Sequence, residues 1–268
     1  MITVDFETEA IVGNPIVDPP APVGVAVTYP NMESHYYTGV DMWEKCHEIW
    51  GGGQDILFHN APFDLSVART WLNLEFPRWG RIHDTMYILY LKNPHAHSLA
   101  LKPSAEKYLG VPPDEQDDLK AWVLENVQGA TPRTFGAHIS KAPVELVARY
   151  AKGDTIRTRA LYDLLIADTP TEPYNREREL MPYLVNATRK GVRCNVPALQ
   201  AALNQCEQAQ ELCEQRIRGL LNAPTLNPHS GAELAVALDE AAVMSEWKLT
   251  ATGKKSTARD NLMAGITD

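Results

Sequence analysis

The sequence predicts an α/β layer fold built around one mixed sheet, followed by a mainly helical region. Residues 2–8 alternate apolar and acidic side chains, which is the pattern of a half-buried strand. Further short β-branched runs follow, first in succession and then alternating with helical patterns, and this order is typical of a layered α/β domain. A polar, proline-bearing stretch at 168–173 separates these elements from two long helical patterns.

The elements of the first part are predicted in chain order. Strands are expected at Ile2–Thr8, Pro22–Pro30, His35–Thr38 and Asp55–His59. The segment Ile82–Tyr90 is expected to lead into a helix. Further helices are expected at Asp41–Trp50, Ala61–Leu74, Ser98–Leu109 with Ser98 as N-cap, Pro113–Glu125 and Pro143–Ala167.

The second part is expected to be helical. One helix is predicted at Asn175–Lys190, ending at Gly191, and a second at Val196–Leu221 with Asn195 as N-cap. A short helix and a polar, basic run follow. We therefore predict two domains, residues 1–172 and 173–268.

Composition and charge restrict the class of protein. The chain has 268 residues, of which 44% are hydrophobic and 22% charged, as in a folded soluble protein. Its net charge is −9, and all of the excess lies in residues 1–173, which hold 14 Lys/Arg and 23 Asp/Glu. Such acidity is compatible with a metal-assisted hydrolase, whose carboxylates bind cations, and equally with a plain acidic surface.

Other features argue against several classes of protein. The four cysteines form no CxxC or Cys/His cluster, so a disulfide scaffold or a zinc site is not expected. The N-terminus has no signal-peptide pattern, and no apolar run approaches the length of a membrane span. We expect a cytoplasmic protein, in a bacterial or phage-infected cell, with no membrane partner.

Three short motifs carry candidate chemistry. Asp5 and Glu7 project from one face of a strand, and burying two such charges requires a cation or a proton between them, so they indicate a metal site unless that face is solvated. Asp64 lies in the first turn of a helix after a strand, where it can either face the same crevice or simply favour the helix N-terminus. Tyr150 and Asp154 share one helix face, as a functional pair or as a half-buried tyrosine beside a surface aspartate.

Taken together and in this order, D-x-E, N-x-x-F-D and Y-x-x-x-D resemble the DEDD exonucleases, Y subclass. The H subclass has histidine five residues before the final aspartate, a position held here by Arg149. The runs His83–Met86 and HSLALKPSAEKYLG are similar to the proofreading branch of DNA polymerases, in which Asp84 is expected to support the core rather than bind metal. The resemblance covers the chain from its start to about residue 168.

The resemblance implies a ribonuclease H-like fold and a site with two Mg²⁺ ions, for which Mn²⁺ would substitute. Asp5 would bridge the ions, Glu7 and Asp154 would complete the site of the attacking water, and Asp64 would hold the second ion. Tyr150 would orient the water, since a phenol is a poor base at neutral pH.

The implied activity is 3′→5′ hydrolysis of single-stranded DNA ends to nucleoside monophosphates, with proofreading as its use. Asn60 would lie beside the terminal nucleotide or order Asp64. Phe6 and Phe63 would stack against terminal bases, or else belong to the core.

Residues 174–262 resemble the start of a family A DNA polymerase domain, where the thumb begins. The matching runs are E-x-x-L-M-P-Y-L, R-K-G-V-R at Arg189–Arg193, N-P-x-S-x-x-x-L at Asn227–Leu234, and TATGKKST at Thr250–Thr257. In that resemblance Lys254, Lys255 and Arg259 would contact backbone phosphates, or else form a solvated basic loop.

The chain stops at Asp268, before the palm and fingers of that family, so we expect no polymerisation by this chain itself. A truncated fragment, a split polymerase whose remaining polypeptide is a partner, and a free-standing nuclease all stay open. The alternative functions are an RNA-trimming DEDDy exoribonuclease and a non-catalytic module that binds DNA or a polymerase.

Overall fold

The computed structural model describes residues 1–112 and 114–265, together with their side chains except those of 114–116. The chain divides into two compact units, Met1–Gly191 and a second that begins at Val192. In the described part of the chain, no helix combines the length and the apolar character that a membrane span needs.

The first unit is built on the mixed sheet that the sequence predicts. Its strands are β1 Ile2–Thr8, β2 Pro22–Thr28, β3 Ser34–Tyr37, β4 Ile56–Phe58 and β5 Ile82–Asp84. They lie in the order β3-β2-β1-β4-β5. Strand β1 pairs antiparallel with β2 and parallel with β4, and β5 continues the parallel half.

Seven helices belong to the described part of this unit. They are α1 Gly39–Gly51, α2 Ala61–Trp71, α3 Thr85–Lys92, α4 Leu101–Leu109, α5 Asp114–Asn126, α6 Val144–Leu165 and α7 Thr171–Lys190. Short 3₁₀ segments lie at Trp79–Arg81, Phe135–Lys141 and Ile166–Asp168. Pro113, the predicted first residue of the fifth helix, lies outside the described residues.

The two faces of the sheet bury different side chains, because successive residues of a strand point in opposite directions. Val4 and Phe6 of β1 face a core shared with α1 and α2, in which Cys46 and Leu65 are fully buried. Helix α6 packs across the other face, against β1, β2 and β3. The acidic residues of β1 therefore lie under α6 rather than in solvent.

Helix α7 belongs to the first unit, although the sequence places the boundary between residues 172 and 173. Met181 and Val185 lie in the core beside the sheet. Arg178 donates to the carbonyl of Ile82 at 2.6 Å and to that of Gly80 at 2.7 Å. These contacts fix α7 against β5, so the compact units separate after Gly191 instead.

Of two predicted helix N-caps, one is wrong and the other is confirmed. Helix α4 begins at Leu101, so Ser98 is not its N-cap; the Ser98 hydroxyl instead accepts from the Ala100 N–H at 3.1 Å. Asn195 does cap its helix, since its side chain accepts from the Ala198 N–H at 3.2 Å.

The second unit is mainly helical where the structure describes it. Its helices are α8 Val196–Leu220, α9 Gly231–Glu240 and α10 Arg259–Gly265. Between α9 and α10 a tight turn carries the basic run: Thr250 pairs with Lys254, and Gly253 adopts a φ of 77° that favours glycine.

Candidate active site

Three acidic side chains from two distant parts of the chain meet in one cluster. Asp5 and Glu7 lie on β1 and Asp154 on α6, and their ligand atoms all lie within 4.8 Å of one another. Glu7 and Asp154 are buried, with 7% and 6% of their surface exposed, and Asp5 is half-buried. The structure thus brings together three of the four predicted metal ligands.

A buried threonine pair fixes the helix that carries Asp154. The next residue, Thr155, is fully buried, and its hydroxyl lies 2.8 Å from the hydroxyl of Thr28 on β2. Because this contact ties α6 to the strand beside β1, Asp154 is held over the acidic face of β1.

The fourth predicted ligand, Asp64, lies beside this cluster rather than in it. It is 1% exposed in the first turn of α2, and its Oδ1 accepts from the Phe6 N–H at 2.9 Å. The charge of Asp5 contributes to raising the pKa of Asp64, so the two carboxylates are close neighbours. One oxygen of Asp64 is therefore committed to the backbone of β1, while the group remains near the cluster.

Asp84 supports the chain around α2, as expected. Its carboxylate accepts from the N–H groups of Asn60 at 3.0 Å, Ala61 at 2.7 Å and Met86 at 2.8 Å. Asn60 takes a left-handed conformation with φ of 73°, which turns the chain from β4 into α2. The backbone of Asn60 thus orders the turn before Asp64.

Burial raises the pKa of every carboxyl group in this region. The pKa of Asp5 rises to about 7 through burial and the charge of Asp154. The pKa values of Glu7 and Asp64 lie well above their ordinary range, through burial first and then the charge of Asp5. That of Asp154 is raised by burial as well. Such a set is stable in its ionised form only beside compensating positive charge.

Lys102, which the sequence did not single out, supplies one positive charge. Its ammonium donates to Asp154 Oδ2 at 2.7 Å and to the Tyr150 hydroxyl at 2.9 Å, and it lies 4.0 Å from the centre of the Tyr150 ring. Lys102 stands in the first turn of α4, within the run HSLALKPSAEKYLG. Its place in that run is the one indication that the sequence offers.

The cluster fits a divalent metal ion. The second oxygen of Asp154, Oδ1, is buried and has no hydrogen-bond partner among the described residues, although Arg157 lies 3.7 Å from it as an ion pair. A buried carboxylate oxygen without a hydrogen bond is unfavourable unless a cation binds it. Mg²⁺ prefers hard oxygen ligands, which Asp5, Glu7 and Asp154 offer.

Tyr150 lies one helical turn before Asp154 and faces the same cluster. Burial and the charges of Glu7 and Asp154 hold its pKa well above its ordinary value. The hydroxyl therefore keeps its proton at neutral pH, as the sequence predicts, and can donate a hydrogen bond but cannot act as a base.

An open groove of about 450 Å³ leads to this cluster. Glu7 and Tyr150 are among its lining residues, and Phe63 lines it with a half-buried ring. Phe6 also borders the groove, but only 4% of its surface is exposed and its ring belongs to the core. Arg133, which sequence reasoning missed, adds a cation to the groove wall.

In the second unit the predicted phosphate contacts differ in their surroundings. Lys254 and Arg259 are exposed. Lys255 forms an ion pair with Asp239 and lies 5.2 Å from the centre of the Trp247 ring. Its ammonium is therefore partly engaged within this unit.

The chain is similar to two curated phage proteins. No family model matches it. The DNA polymerase DpoZ of Acinetobacter phage SH-Ab 15497 is 28% identical over 181 residues, which cover 63% of this chain. The DNA polymerase DpoZ of Salmonella phage PMBT28 is 25% identical over 187 residues, which cover 64%. The chain spans 28% of the length of each relative that it matches.

A solved polymerase domain has a similar fold. The POL domain of Pol1 from M. smegmatis, in complex with DNA primer-template and dNTP, superposes with a TM-score of 0.55 at 15% identity. The match covers 98% of this chain and 40% of that one. The predicted α/β fold with a mixed central sheet is confirmed, and so is the predicted resemblance to a DNA polymerase.

Proposed function

We propose that the chain is a metal-dependent 3′→5′ exonuclease that shortens single-stranded DNA ends, releasing nucleoside monophosphates. One observation carries the proposal: the ligand atoms of Asp5, Glu7 and Asp154 lie within 4.8 Å of one another, and Glu7 also lines an open groove. A merely acidic surface would not bury these side chains beneath a helix, because burying carboxylates together is unfavourable unless positive charge or a proton compensates them.

Asp5, Glu7 and Asp154 would hold one Mg²⁺, and Asp64 would contribute to a second, with Mn²⁺ as a substitute. When bound, these ions supply acidification of the attacking water and stabilisation of the charge that develops on the leaving oxygen. The Phe6 N–H binds Oδ1 of Asp64, so Asp64 would reach the second ion through Oδ2.

The chain's own residues would position the reactants. Tyr150 keeps its proton and donates a hydrogen bond that orients the attacking water, while Lys102 holds the phenol oxygen from the other side. The Lys102 ammonium also fixes Asp154 through Oδ2, so that Oδ1 points away from that contact. Orientation of this kind lowers the barrier because the reacting atoms start in the required geometry.

The groove would receive the last nucleotides of the strand. Phe63 offers a ring face for a base, and Arg133 offers a cation for a phosphate. Asn60 would position Asp64, because its backbone forms the turn that precedes Asp64. Phe6 would support β1 from the core, where its ring is buried.

DNA is proposed as the substrate because both curated relatives are named DNA polymerases. The use would then be proofreading, with the remaining polymerase polypeptide as a partner. RNA trimming is the alternative function. The test is the rate of shortening of 5′-labelled single strands of identical sequence, one DNA and one RNA, each with a free or a blocked 3′ end.

We expect faster shortening of DNA, and protection of both substrates by the 3′ block. Preferential shortening of RNA would show that the substrate is RNA, and the proposed hydrolysis from the 3′ end would still hold. Cleavage despite a blocked 3′ end would contradict the exonuclease proposal.

A further inference from the structure

A second tyrosine, Tyr36, approaches the carboxylate cluster from the edge strand β3. Its ring packs in an apolar cluster with Val147 and Tyr150 of α6. The charges of Glu7 and Asp5 contribute, after burial, to raising its pKa.

Tyr36 pairs with Ala26, two residues along β2 from Gly24, and its phenol reaches over Gly24. Gly24 of β2 is the cross-strand partner of Glu7 on β1. A Cβ atom on Gly24 would overlap the Cζ and hydroxyl oxygen of Tyr36. The phenol thus fills the space that a side chain at position 24 would take. Side chains of directly opposed residues lie about 5 Å apart at Cβ, so this space adjoins the Glu7 side chain.

The hydroxyl of Tyr36 forms no hydrogen bond with the described residues of the protein. Its oxygen is buried and has no hydrogen-bond partner among the described residues. Most buried polar atoms are hydrogen-bonded, and an exception beside a cluster of acidic groups indicates a role at that cluster. A phenol that retains its proton is a hydrogen-bond donor, and the ionised carboxylate of Glu7 is an acceptor.

We infer that Tyr36 is a positioning residue, whose hydroxyl donates a hydrogen bond to Glu7 through one bridging water and so directs that carboxylate towards the metal. Gly24 is the complementary feature, since it leaves the space in which the phenol lies. The inference rests on the proposed nuclease function of this site. The competing explanation is a core tyrosine whose hydroxyl is tolerated without a role.

The substitution Tyr36→Phe separates the two explanations, because it removes the hydroxyl and keeps the ring. We expect kcat on single-stranded DNA to fall about 10-fold or more, as is usual when an outer-shell partner of a metal ligand is lost, with KM changed by less than about 2-fold. Mn²⁺ affinity, measured by electron paramagnetic resonance, should fall as well, while the melting temperature stays equal or rises. The matched control is Tyr37→Phe, whose hydroxyl instead lies 3.4 Å from that of Tyr29.

Wild-type kcat and wild-type Mn²⁺ affinity in Tyr36→Phe would overturn the inference. An inactive wild-type protein is a different result, since it would count against the proposed function, and the Mn²⁺ affinities would then decide the role of Tyr36 alone. A second variant, Gly24→Ala, should lower kcat by displacing the phenol. Adding Tyr36→Phe to it should bring little further loss, because both changes remove one interaction. Full additivity of the two losses would also overturn the inference.

Discussion

Lys102 binds Asp154 through one carboxylate oxygen only. The ammonium donates to Oδ2 at 2.7 Å, whereas Oδ1 is buried and without a hydrogen-bond partner among the described residues. The side chains of Lys102 and Asp154 are 17% and 8% exposed. A buried ion pair of this kind orients the carboxylate, and its second oxygen is left to bind a cation.

The substitution Lys102→Met should destabilise the protein in EDTA by about 3 kcal/mol, because it leaves the buried Asp154 carboxylate with only the longer, 3.7 Å ion pair to Arg157. The measurement is urea unfolding. The matched control is Arg149→Met, which breaks the exposed ion pair between Arg149 (59% exposed) and Asp118 (58% exposed). Its unfolding free energy should fall by less than about 1 kcal/mol. Equal losses in the two variants would contradict a buried Lys102–Asp154 pair.

The pKa of Asp5 predicts a pH dependence of stability. Its pKa rises from 3.8 to about 7 on folding, through burial and the charge of Asp154. The folded protein therefore holds this proton more tightly than the unfolded chain, and stability falls as pH rises from 3.8 towards 7. The contribution is about 4 kcal/mol at most.

The difference in unfolding free energy between wild type and Asp5→Asn, in EDTA, measures this contribution together with the effect of the Asp5 charge on Glu7 and Asp64. His59 and His83, whose pKa values are lowered to about 4 by burial, act in the opposite direction but are common to both proteins. We expect the wild type to lose stability relative to the variant between about pH 4 and about pH 7, and saturating Mg²⁺ to reduce that loss. Parallel curves would refute the raised pKa.

Asp84 is predicted to be essential for the shape of the site without binding metal. Asp84→Ala leaves three N–H groups without their acceptor, and should destabilise the protein by about 3 kcal/mol or more. The comparison is Asp64→Asn, which should lower exonuclease activity strongly while changing the melting temperature far less. A stable, inactive Asp84→Ala protein would instead place Asp84 among the metal ligands.

The basic residues of the second unit are predicted to bind duplex DNA through phosphates. Lys254→Ala and Arg259→Ala should each weaken binding and reduce the slope of log affinity against log salt by about 1. Lys255→Ala should have a smaller effect, because Lys255 is paired with Asp239. Fluorescence anisotropy at several salt concentrations measures all three, and unchanged slopes would remove these residues from the DNA interface.

Two pairs of site residues can be predicted from the sequence, because each pair lies within a single strand or helix. Alternation along β1 places Asp5 and Glu7 on one face of a strand, and helical spacing places Tyr150 and Asp154 on one face of a helix. The order of the motifs along the chain then identifies the fold. The convergence of the two pairs follows from α6 crossing β1, which is a property of the domain rather than of either segment.

The remaining features depend on tertiary contacts that leave no local pattern. Lys102 reaches a partner 52 residues away, and Tyr36 on β3 is separated from β1 by one strand, β2. The docking of α7 depends on Arg178, which donates to backbone carbonyls. Every residue has such a carbonyl, so no residue type in the sequence marks the partner. For the same reason the proline-bearing stretch at 168–173 resembles a domain linker in the sequence.

The central claim is tested most directly by incubating the protein with a 5′-labelled single-stranded DNA oligonucleotide in Mg²⁺. The controls are EDTA and the double variant Asp5→Ala/Asp154→Ala. We predict a ladder that shortens from the 3′ end, lost in EDTA and reduced by roughly 10³-fold or more in the variant, since metal coordination contributes several kcal/mol to such reactions. No ladder in Mg²⁺ or Mn²⁺, or an equal ladder from the double variant, would contradict the account.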